Sequence, residues 1–522
     1  MSFQESDHRA LTKRILWKLD CRILPPLALL WLANFIDRSN IGNARIAGLE
    51  RDLGLHGNQF NTILAVFYAS YIIVELRKST ELENHSIHET QVHLASNWVI
   101  QRVGANRWIP LLVCLWGVVT TLTGLVQNFG GLVAIRMCLG LCEGGLLPGM
   151  ILYLSTIYKR HELQLRVGIF YASASLSGAF GGLLATAITR MEGVGGLSGW
   201  RWIFILEGIA TVILSIVSAV FLPANLESAK FLTKEERTFA TRRFRMDESM
   251  ISADAIPVER DTHEKEDTIQ TLESSPKEVF ATHCVEEFEW REVMRGVTDI
   301  QTWCTGLAYF GLIVSLYSYS LFLPTIVAGL GYSGGQAQLH TVPPYVPAVV
   351  LTVIVAIMSD KLKWRGPFIL ICLPLAIIGY IVAITAQTNT GRYAAVFLMA
   401  AGVYPSAPCI LSILPNNSSG HYKKATTTAL QLAIANTGGF VATFSYTSDQ
   451  APKYIRGHSI SLGFLILAWL LVAVNVSYCM WENKARREGR RQCNIEAYET
   501  LRHAGKTKAP IGDRHPEFRF TL

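Results

Sequence analysis

Twelve stretches of mostly apolar residues recur along this chain of 522 residues. Each is long enough to serve as a membrane-crossing helix, which needs roughly 20 residues to span about 30 Å of hydrocarbon. We number them span one to span twelve by the residues near which they open, which are Ile23, Phe60, Trp108, Leu132, Val167, Trp202, Thr302, Val342, Pro367, Arg392, Ala425 and Ser459. The pattern predicts an all-α integral membrane protein with twelve transmembrane helices in two six-helix halves.

The composition agrees with a membrane protein, since 50% of the residues are hydrophobic and only 17% are charged. A net charge of +7 could suggest a nucleic-acid partner. The Lys and Arg residues lie in short clusters between apolar runs, however, so we expect none. Ten cysteines lack the close spacing of a metal or redox site. Without a nucleophile elbow or phosphate loop, we expect neither an enzyme nor a cofactor.

Four segments are predicted from the change in composition along the chain. Residues 1–222 form the first half, and residues 223–298, rich in Glu, Lys, Asp and Ser, form a linker that is partly helical around 232–245. Residues 299–482 form the second half, and residues 483–522 form a tail. The polar, basic segment 1–19 is not typical of a cleaved signal peptide, so span one is expected to direct insertion.

Clusters of basic residues flank the spans on one side of the predicted membrane. They include Lys13, Arg14, Lys18, Arg22, Arg102, Arg107, Lys159, Arg160, Arg166, Lys361, Lys363, Arg365, Lys423 and Lys424. The other loops carry fewer cations and no comparable cluster. Because basic residues are retained on the cytoplasmic side, we predict that both termini are cytoplasmic.

A few ionisable residues fall inside the predicted spans and are therefore candidate functional residues, because a charge in the bilayer costs several kcal/mol unless it is paired or faces water. Asp37 and Arg38 lie in span one. Arg136 and Glu143 lie on one face of span four, two helical turns apart. An arginine can bind a carboxylate through two parallel hydrogen bonds, and a buried carboxyl group can carry a proton. A fixed ion-pair network is the alternative.

Polar and aromatic side chains in three other spans are weaker candidates. Gln431 and Asn436 in span eleven could bind a substrate or hydrogen-bond to a neighbouring helix. Tyr71 in span two could contact substrate, and Glu75, one turn further along, could be a gate, a packing partner or a ligand. Three tyrosines of span seven could stack on a ring or simply pack, namely Tyr309, Tyr317 and Tyr319.

Two short segments resemble a signature of the major facilitator superfamily. Residues 359–366 (SDKLKWRG) lie between spans eight and nine, and residues 102–107 (RVGANR) follow span two but lack the usual Asp. Further stretches resemble the anion:cation symporter family within that superfamily, which includes fungal allantoate and nicotinate permeases. These are 35–44 (FIDRSNIGNA), 136–149 (RMCLGLCEGGLLPG), 199–208 (GWRWIFILEG), 232–237 (LTKEER) and 416–421 (NNSSGH).

The resemblance implies roles for individual residues. By analogy with related symporters, Asp37 and Glu143 are expected to take part in proton coupling, and Arg38 and Arg136 in substrate recognition or charge balance. The signature residues imply a conformational role for Asp360, Arg365, Arg102 and Arg107.

The predicted function is proton-coupled uptake of a small organic anion, a carboxylate or vitamin-like acid such as nicotinate or allantoate. Two halves rocking about a midplane site would provide alternating access, and we expect a monomer in the plasma membrane. Sodium coupling, an efflux antiporter and a nutrient sensor are the alternatives. Drug:proton antiporters typically have a proline in span five where this chain reads Gly178-Ala-Phe-Gly181-Gly182.

A polar stretch, residues 77–95 (RKSTELENHSIHETQVHLA), interrupts span two after Leu76. Members of the family usually read Glu-x-Pro-Ser-Asn here without a break. Codons 77–79 can encode a splice donor and codons 94–95 an acceptor, and removing about 54 nucleotides would leave a proline codon before Ser96. We hypothesise a retained intron. A natural loop insertion is the alternative, because surface loops tolerate insertions at modest entropic cost.

We expect the mature message to lack most of codons 77–95 and to join Leu76 to Ser96 through proline. Sequencing transcripts across codons 70–105 measures this directly. A dominant mature message that contains these codons would contradict the retained-intron hypothesis.

Overall fold

A computed structural model describes residues 3–80, 104–253, 289–332, 334–507, 509 and 511–522. Over these residues the secondary structure is helical, without a strand. Arg102, most of the predicted insertion and residues 254–288 of the predicted linker lie outside the described residues.

The first half contains the six predicted spans in order. Their helices are Phe3–Ala44, Gln59–Thr80, Ala105–Thr123, Phe129–Glu143 continued by Leu146–Ser155, Arg160–Ile188 and Gly199–Phe221. Span four is divided after Glu143, where two consecutive glycines, Gly144 and Gly145, separate its two helices. Glycine is a poor helix former, so the division falls where the sequence is weakest.

The second half contains the other six. Their helices are Ile300–Gly329, Val342–Leu362, Gly366–Thr385, Asn389–Asn417, His421–Ser445 and Ile455–Arg487. The prediction of twelve transmembrane helices in two six-helix halves is confirmed. Shorter helices outside the spans include Lys234–Ala253, which overlaps the predicted helical part of the linker, Trp290–Thr298 and Cys493–His503.

Among the described residues, seven helices are long and apolar enough by themselves to cross a membrane, namely those of spans one, six, seven, eight, nine, ten and twelve. The remaining spans are shorter, divided or rich in polar residues. Span eleven, for example, opens with His421-Tyr-Lys423-Lys424 and continues with threonines, a glutamine and an asparagine. Several of these polar residues of span eleven are buried in the bundle, namely Lys423, Thr427, Gln431 and Asn436.

Ion pairs tie the helices of each half together at one end of the bundle, which we call the basic end. In the first half, Lys18 pairs with Glu236 (Nζ to Oε1, 2.7 Å) and Arg166 pairs with Asp20 (2.8 Å). In the second half, Arg365 pairs with Asp360 (2.7 Å). The described parts of the predicted cytoplasmic clusters lie at this end, because an even number of spans in each half returns the chain to it.

The two halves contact each other mainly from mid-bundle to the other end, which we call the opposite end. Asn61 donates to the carbonyl oxygen of Thr443 (2.7 Å), and Arg45 donates to the hydroxyl of Ser448 (3.0 Å). In span five, a Cβ at Gly178 would overlap the ring of Tyr345 in the second half. Gly178 and Gly182 of span five therefore permit close contact between the halves, whereas Gly181 faces span one.

Candidate transport site

Span one presents a buried polar face near the middle of the bundle. Asn34, Asp37 and Arg38 are 1%, 4% and 8% exposed. Their spacing of three and four residues places them on one side of the helix. Asn40, 0% exposed, extends the polar face toward span six. Span one therefore supplies one carboxyl group, one guanidinium group and two amide groups to the interior of the first half.

Arg38 forms a buried ion pair with Glu143 at the break in span four. Its Nε and Nη2 atoms both donate to Glu143 Oε1, with the Nε bond at 3.1 Å. Asn34 donates to the same oxygen at 2.6 Å. A buried charge is tolerated only when a counter-charge and hydrogen bonds replace its hydration. Glu143 provides the counter-charge for Arg38, and Arg38 and Asn34 together provide hydrogen bonds to Glu143.

Arg38 also reaches the second half. Its Nη1 atom donates to the hydroxyl of Tyr317 in span seven (2.8 Å), and that hydroxyl donates to Oδ1 of Asn436 in span eleven (3.4 Å). The guanidinium group lies 5.2 to 5.5 Å from the centres of four rings, a distance at which aromatic faces attract cations. The rings belong to Phe35, Phe67, Tyr71 and Tyr317. One cation thus joins five spans of the two halves.

Arg136 is equally buried but is not paired in this way. It is 3% exposed, and its guanidinium lies 5.9 Å from the ring of Phe204. Within the described parts of the chain it forms neither an ion pair nor a hydrogen bond, and its Nε atom is buried without an acceptor. A buried guanidinium group that no protein side chain binds directly can accept an anion through its free donors.

Asp37 and Glu207 form a pair of adjacent buried carboxyl groups close to Arg136. Thr120 donates to Asp37 Oδ2 (3.4 Å), and Asn40 donates to Glu207 Oε1. No described residue donates to the other carboxyl oxygen of Glu207. Two neighbouring carboxylates repel each other unless they share a proton. That proton would also supply the missing hydrogen bond.

The structure brings together most of the candidate residues. Asp37, Arg38, Arg136, Glu143, Tyr71 and Asn436 lie in or beside one cluster. Gln431 is elsewhere, since its amide nitrogen donates to the carbonyl oxygen of Ile410 in span ten (3.1 Å). Gln431 therefore forms the hydrogen bond to a neighbouring helix that was the alternative to substrate binding.

The candidate conformational residues lie at the basic end, away from the cluster. Asp360 and Arg365 pair with each other across the turn between spans eight and nine. Arg107 is exposed near the start of span three.

Glu207, Asn34 and Asn40 are not among the site residues predicted from the sequence. A signal existed for Glu207, because it is an ionisable residue inside the apolar span six and so met the criterion used for Glu143. Asparagines are common in membrane helices as interhelical bonding groups, so the sequence offers no means to select Asn34 and Asn40. Their partners become known only when spans one, four and six are packed.

A sequence model of the Major Facilitator Superfamily matches residues 93–443. An uncharacterised transporter of Schizosaccharomyces pombe is 34% identical over 521 residues, covering 99% of this chain and 92% of that protein. The high-affinity nicotinic acid transporter of Saccharomyces cerevisiae is 28% identical over 515 residues, covering 99% and 86%.

Two solved structures share the fold. One is the xylose transporter XylE from E. coli in a partially occluded inward-open conformation, with a TM-score of 0.57 at 15% identity, covering 86% of this chain and 96% of that one. The other is a bacterial homologue of the human lysosomal transporter Spinster, inward-facing and unoccupied. It has a TM-score of 0.55 at 15% identity, covering 87% and 95%.

We expect Glu143→Gln to lower the stability of the protein, since it leaves Arg38 buried without a counter-charge; the cost of breaking such a pair is about 3–5 kcal/mol. Arg38→Gln in the same background should recover part of this loss, because the double variant buries no unpaired charge. Apparent melting temperatures of the purified protein in detergent test this as a double-mutant cycle. Strictly additive single effects would contradict the pairing.

Proposed function

The chain belongs to the major facilitator superfamily, and we propose that it takes up a small organic anion together with a proton. That it is a multi-pass membrane transporter follows from the family and the fold. The anion and the proton are proposals that depend chiefly on one observation, a buried Arg136 that forms no direct ion pair or hydrogen bond with a described residue and lies beside a pair of carboxyl groups. Similarity to a nicotinic acid transporter supports a carboxylate as the substrate class.

Arg38 and Arg136 would have different roles in transport. Glu143 and Tyr317 already occupy Arg38, so a substrate that bound there would have to displace them. Arg136 has no such competitor among the described residues. Its planar fork can bind a carboxylate through two parallel hydrogen bonds, and it keeps its charge in a buried site. We therefore propose Arg136 as the anion ligand and Arg38 as the residue that positions the helices.

The proton would be held by Asp37 and Glu207. The cluster contains three carboxyl groups and two guanidinium groups, so it would have a surplus negative charge if every group were ionised. One proton shared by Asp37 and Glu207 makes it neutral. A carboxylate that bound to Arg136 would restore the surplus, and a second proton would remove it again. Charge balance in a low-dielectric site therefore favours joint binding of an anion and a proton.

Protonation of Glu143 would affect the contact between the two halves of the bundle. A proton on Glu143 would weaken its ion pair with Arg38, whose Nη1 atom contacts Tyr317 in the other half. The balance between two arrangements of the halves would then depend on protonation, as a coupled equilibrium requires. This supports the expectation that Glu143 takes part in proton coupling.

We also propose that both termini are cytoplasmic and that the transporter lies in the plasma membrane. The basic end carries the clusters that are normally retained in the cytoplasm. With that orientation, the contacts of Asn61 with Thr443 and of Arg45 with Ser448 close the external side. Rocking of the halves would open these contacts and close the basic end.

We expect Arg136→Gln to reduce uptake of the transported acid by about 10- to 100-fold, because hydrogen bonds to a charged group contribute about 1.5–3 kcal/mol. The assay is uptake of radiolabelled nicotinate, allantoate, pantothenate and tartrate by cells that express the chain with residues 77–95 replaced by proline. Arg190→Gln, which removes an exposed arginine outside the cluster, is the matched control. Wild-type uptake by Arg136→Gln at equal surface expression would refute the assignment.

Asp37→Asn and Glu207→Gln should each abolish accumulation of the acid against its gradient, because the variants have lost a proton-binding group. Exchange of labelled for unlabelled acid should persist, since it needs no net proton movement. Glu227→Gln, at an exposed site outside the spans, should accumulate normally, and a proton ionophore should collapse that accumulation. If accumulation is unaffected by the ionophore but requires sodium, the proposed proton coupling is wrong. Proton-driven export of the acid would instead favour an antiporter.

A further inference from the structure

A second site lies at the basic end, well away from the buried cluster. A cavity of about 450 Å³ is lined by the helix Trp290–Thr298, the start of span seven, the end of span twelve, the helix Cys493–His503 and five residues of the tail, namely Thr507, Ile511, Asp513, Arg514 and Phe520. We call residues 504–522 the folded tail. The cavity is of a size typical of small-molecule sites, and nothing in the proposed transport cycle uses it.

The folded tail is held against the second half by specific contacts. Asp513 bridges Lys423 (2.5 Å) and Arg295 (3.0 Å). The backbone amide of Thr521 donates to Asn417 Oδ1 at 2.8 Å. The ring of Phe520 lies 4.4 Å from the guanidinium of Arg486. One wall of the cavity is therefore an ordered segment with its own docking site.

Six basic and four acidic side chains line the cavity, and ion pairs account for all four acids. Asp513 is bound as described, and Asp299 pairs with Lys423 (2.6 Å). Glu292 pairs with Arg295 (2.7 Å), and Glu482 pairs with Arg486 (3.2 Å) and Arg491 (2.7 Å). The basic residues are Arg291, Arg295, Lys423, Arg486, Arg491 and Arg514. Two positive charges are left over.

The two remaining cations are Arg291 and Arg514, and neither has an ion pair with a described residue. They lie close to Arg295, so three guanidinium groups share one side of the cavity. Arg514 is exposed at the rim of the cavity, where partial burial, followed by the charges of Arg295 and Arg291, lowers its pKa. An anion placed among them would relieve this repulsion.

The cavity lies near the predicted membrane surface. Trp290, Trp303 and Trp481 are 52%, 45% and 53% exposed at this end of the bundle. Exposed tryptophans are typical of the level of the lipid headgroups. The cavity can therefore be reached by a lipid headgroup as well as by a soluble molecule.

We propose that this cavity binds a phosphate monoester. A phosphate monoester carries a charge of about −1.5 to −2 at pH 7, which matches the two unpaired cations, and arginine binds phosphate through paired hydrogen bonds. Because Arg291 belongs to the end of the predicted linker and Arg514 to the folded tail, the bound phosphate would fasten these two segments together. The group could come from a phosphorylated inositol lipid, since basic pockets at the membrane surface bind such headgroups, or from a soluble phosphate compound.

The test is direct binding to the purified full-length protein. Inositol 1,4,5-trisphosphate is titrated in detergent by calorimetry, and nanodiscs that contain phosphatidylinositol 4,5-bisphosphate are compared with nanodiscs of phosphatidylcholine alone by thermal stability. We expect saturable binding of the soluble probe, stabilisation in the phosphoinositide nanodiscs, or both. Binding of the soluble probe alone indicates a soluble source, and stabilisation by the lipid alone indicates a lipid source. Absence of both effects would overturn the proposal.

The decisive variant is Arg291→Gln with Arg514→Gln, which should weaken binding at least tenfold. Arg291→Lys with Arg514→Lys keeps the charge and should weaken binding less. The matched control is Arg487→Gln with Arg502→Gln, which removes two exposed charges from the same end outside the cavity. Equal weakening in control and test variants, or none in the test variant, would show that the site is elsewhere. Binding is read without transport, so this result is independent of the transport mechanism.

Discussion

The arrangement of the bundle depends on the burial of one guanidinium group, that of Arg38. Removing a charge from water costs several kcal/mol unless other groups replace the lost hydration. Glu143, Tyr317 and four aromatic rings replace it, and they come from spans one, two, four and seven. These helices therefore cannot shift independently near the middle of the bundle, and the two halves meet around a single compensated charge.

In this arrangement, one arginine positions the helices and a different arginine is available to bind a substrate. Arg38 is fully occupied, whereas Arg136, in the same half and equally buried, is left without a partner among the described residues. The carboxyl groups show the same contrast, because Glu143 is bound on one oxygen by three donors from two side chains, while Glu207 has an oxygen with no donor. Glu207 adjoins Asp37, and Asp37 lies close to Arg136. Arg136 and this pair of carboxyl groups are therefore the groups of the cluster that an anion and a proton could engage.

The two ends of the bundle are stabilised by different interactions. At the opposite end, small residues and amide or hydroxyl groups connect one half with the other, as at Gly178 and Asn61. At the basic end, the described ion pairs lie within one half or join it to its adjoining segment, as between Lys18 and Glu236 of the linker helix or between Lys423 and Asp513 of the folded tail. Each half is thus reinforced as a unit, which favours rocking of rigid halves over rearrangement inside them. The folded tail adds to the second half and adds no described contact to the first.

The amino-acid sequence alone determined the class of the protein, its twelve spans and four of the ionisable residues of the cluster. The length of an apolar segment and the free-energy cost of a charge within the bilayer are local properties. Both can be judged from the sequence without knowing which helices contact each other. Only the tertiary structure decided that Arg38 is paired and Arg136 is not, because both are intramembrane arginines with an acidic residue in the same span. The tertiary structure also decided that Glu207 lies next to Asp37 and that Gln431 hydrogen-bonds to span ten. Both contacts depend on the rotation of each helix about its axis. A periodic pattern shows which face of a helix is polar, but the partner of that face is chosen by packing.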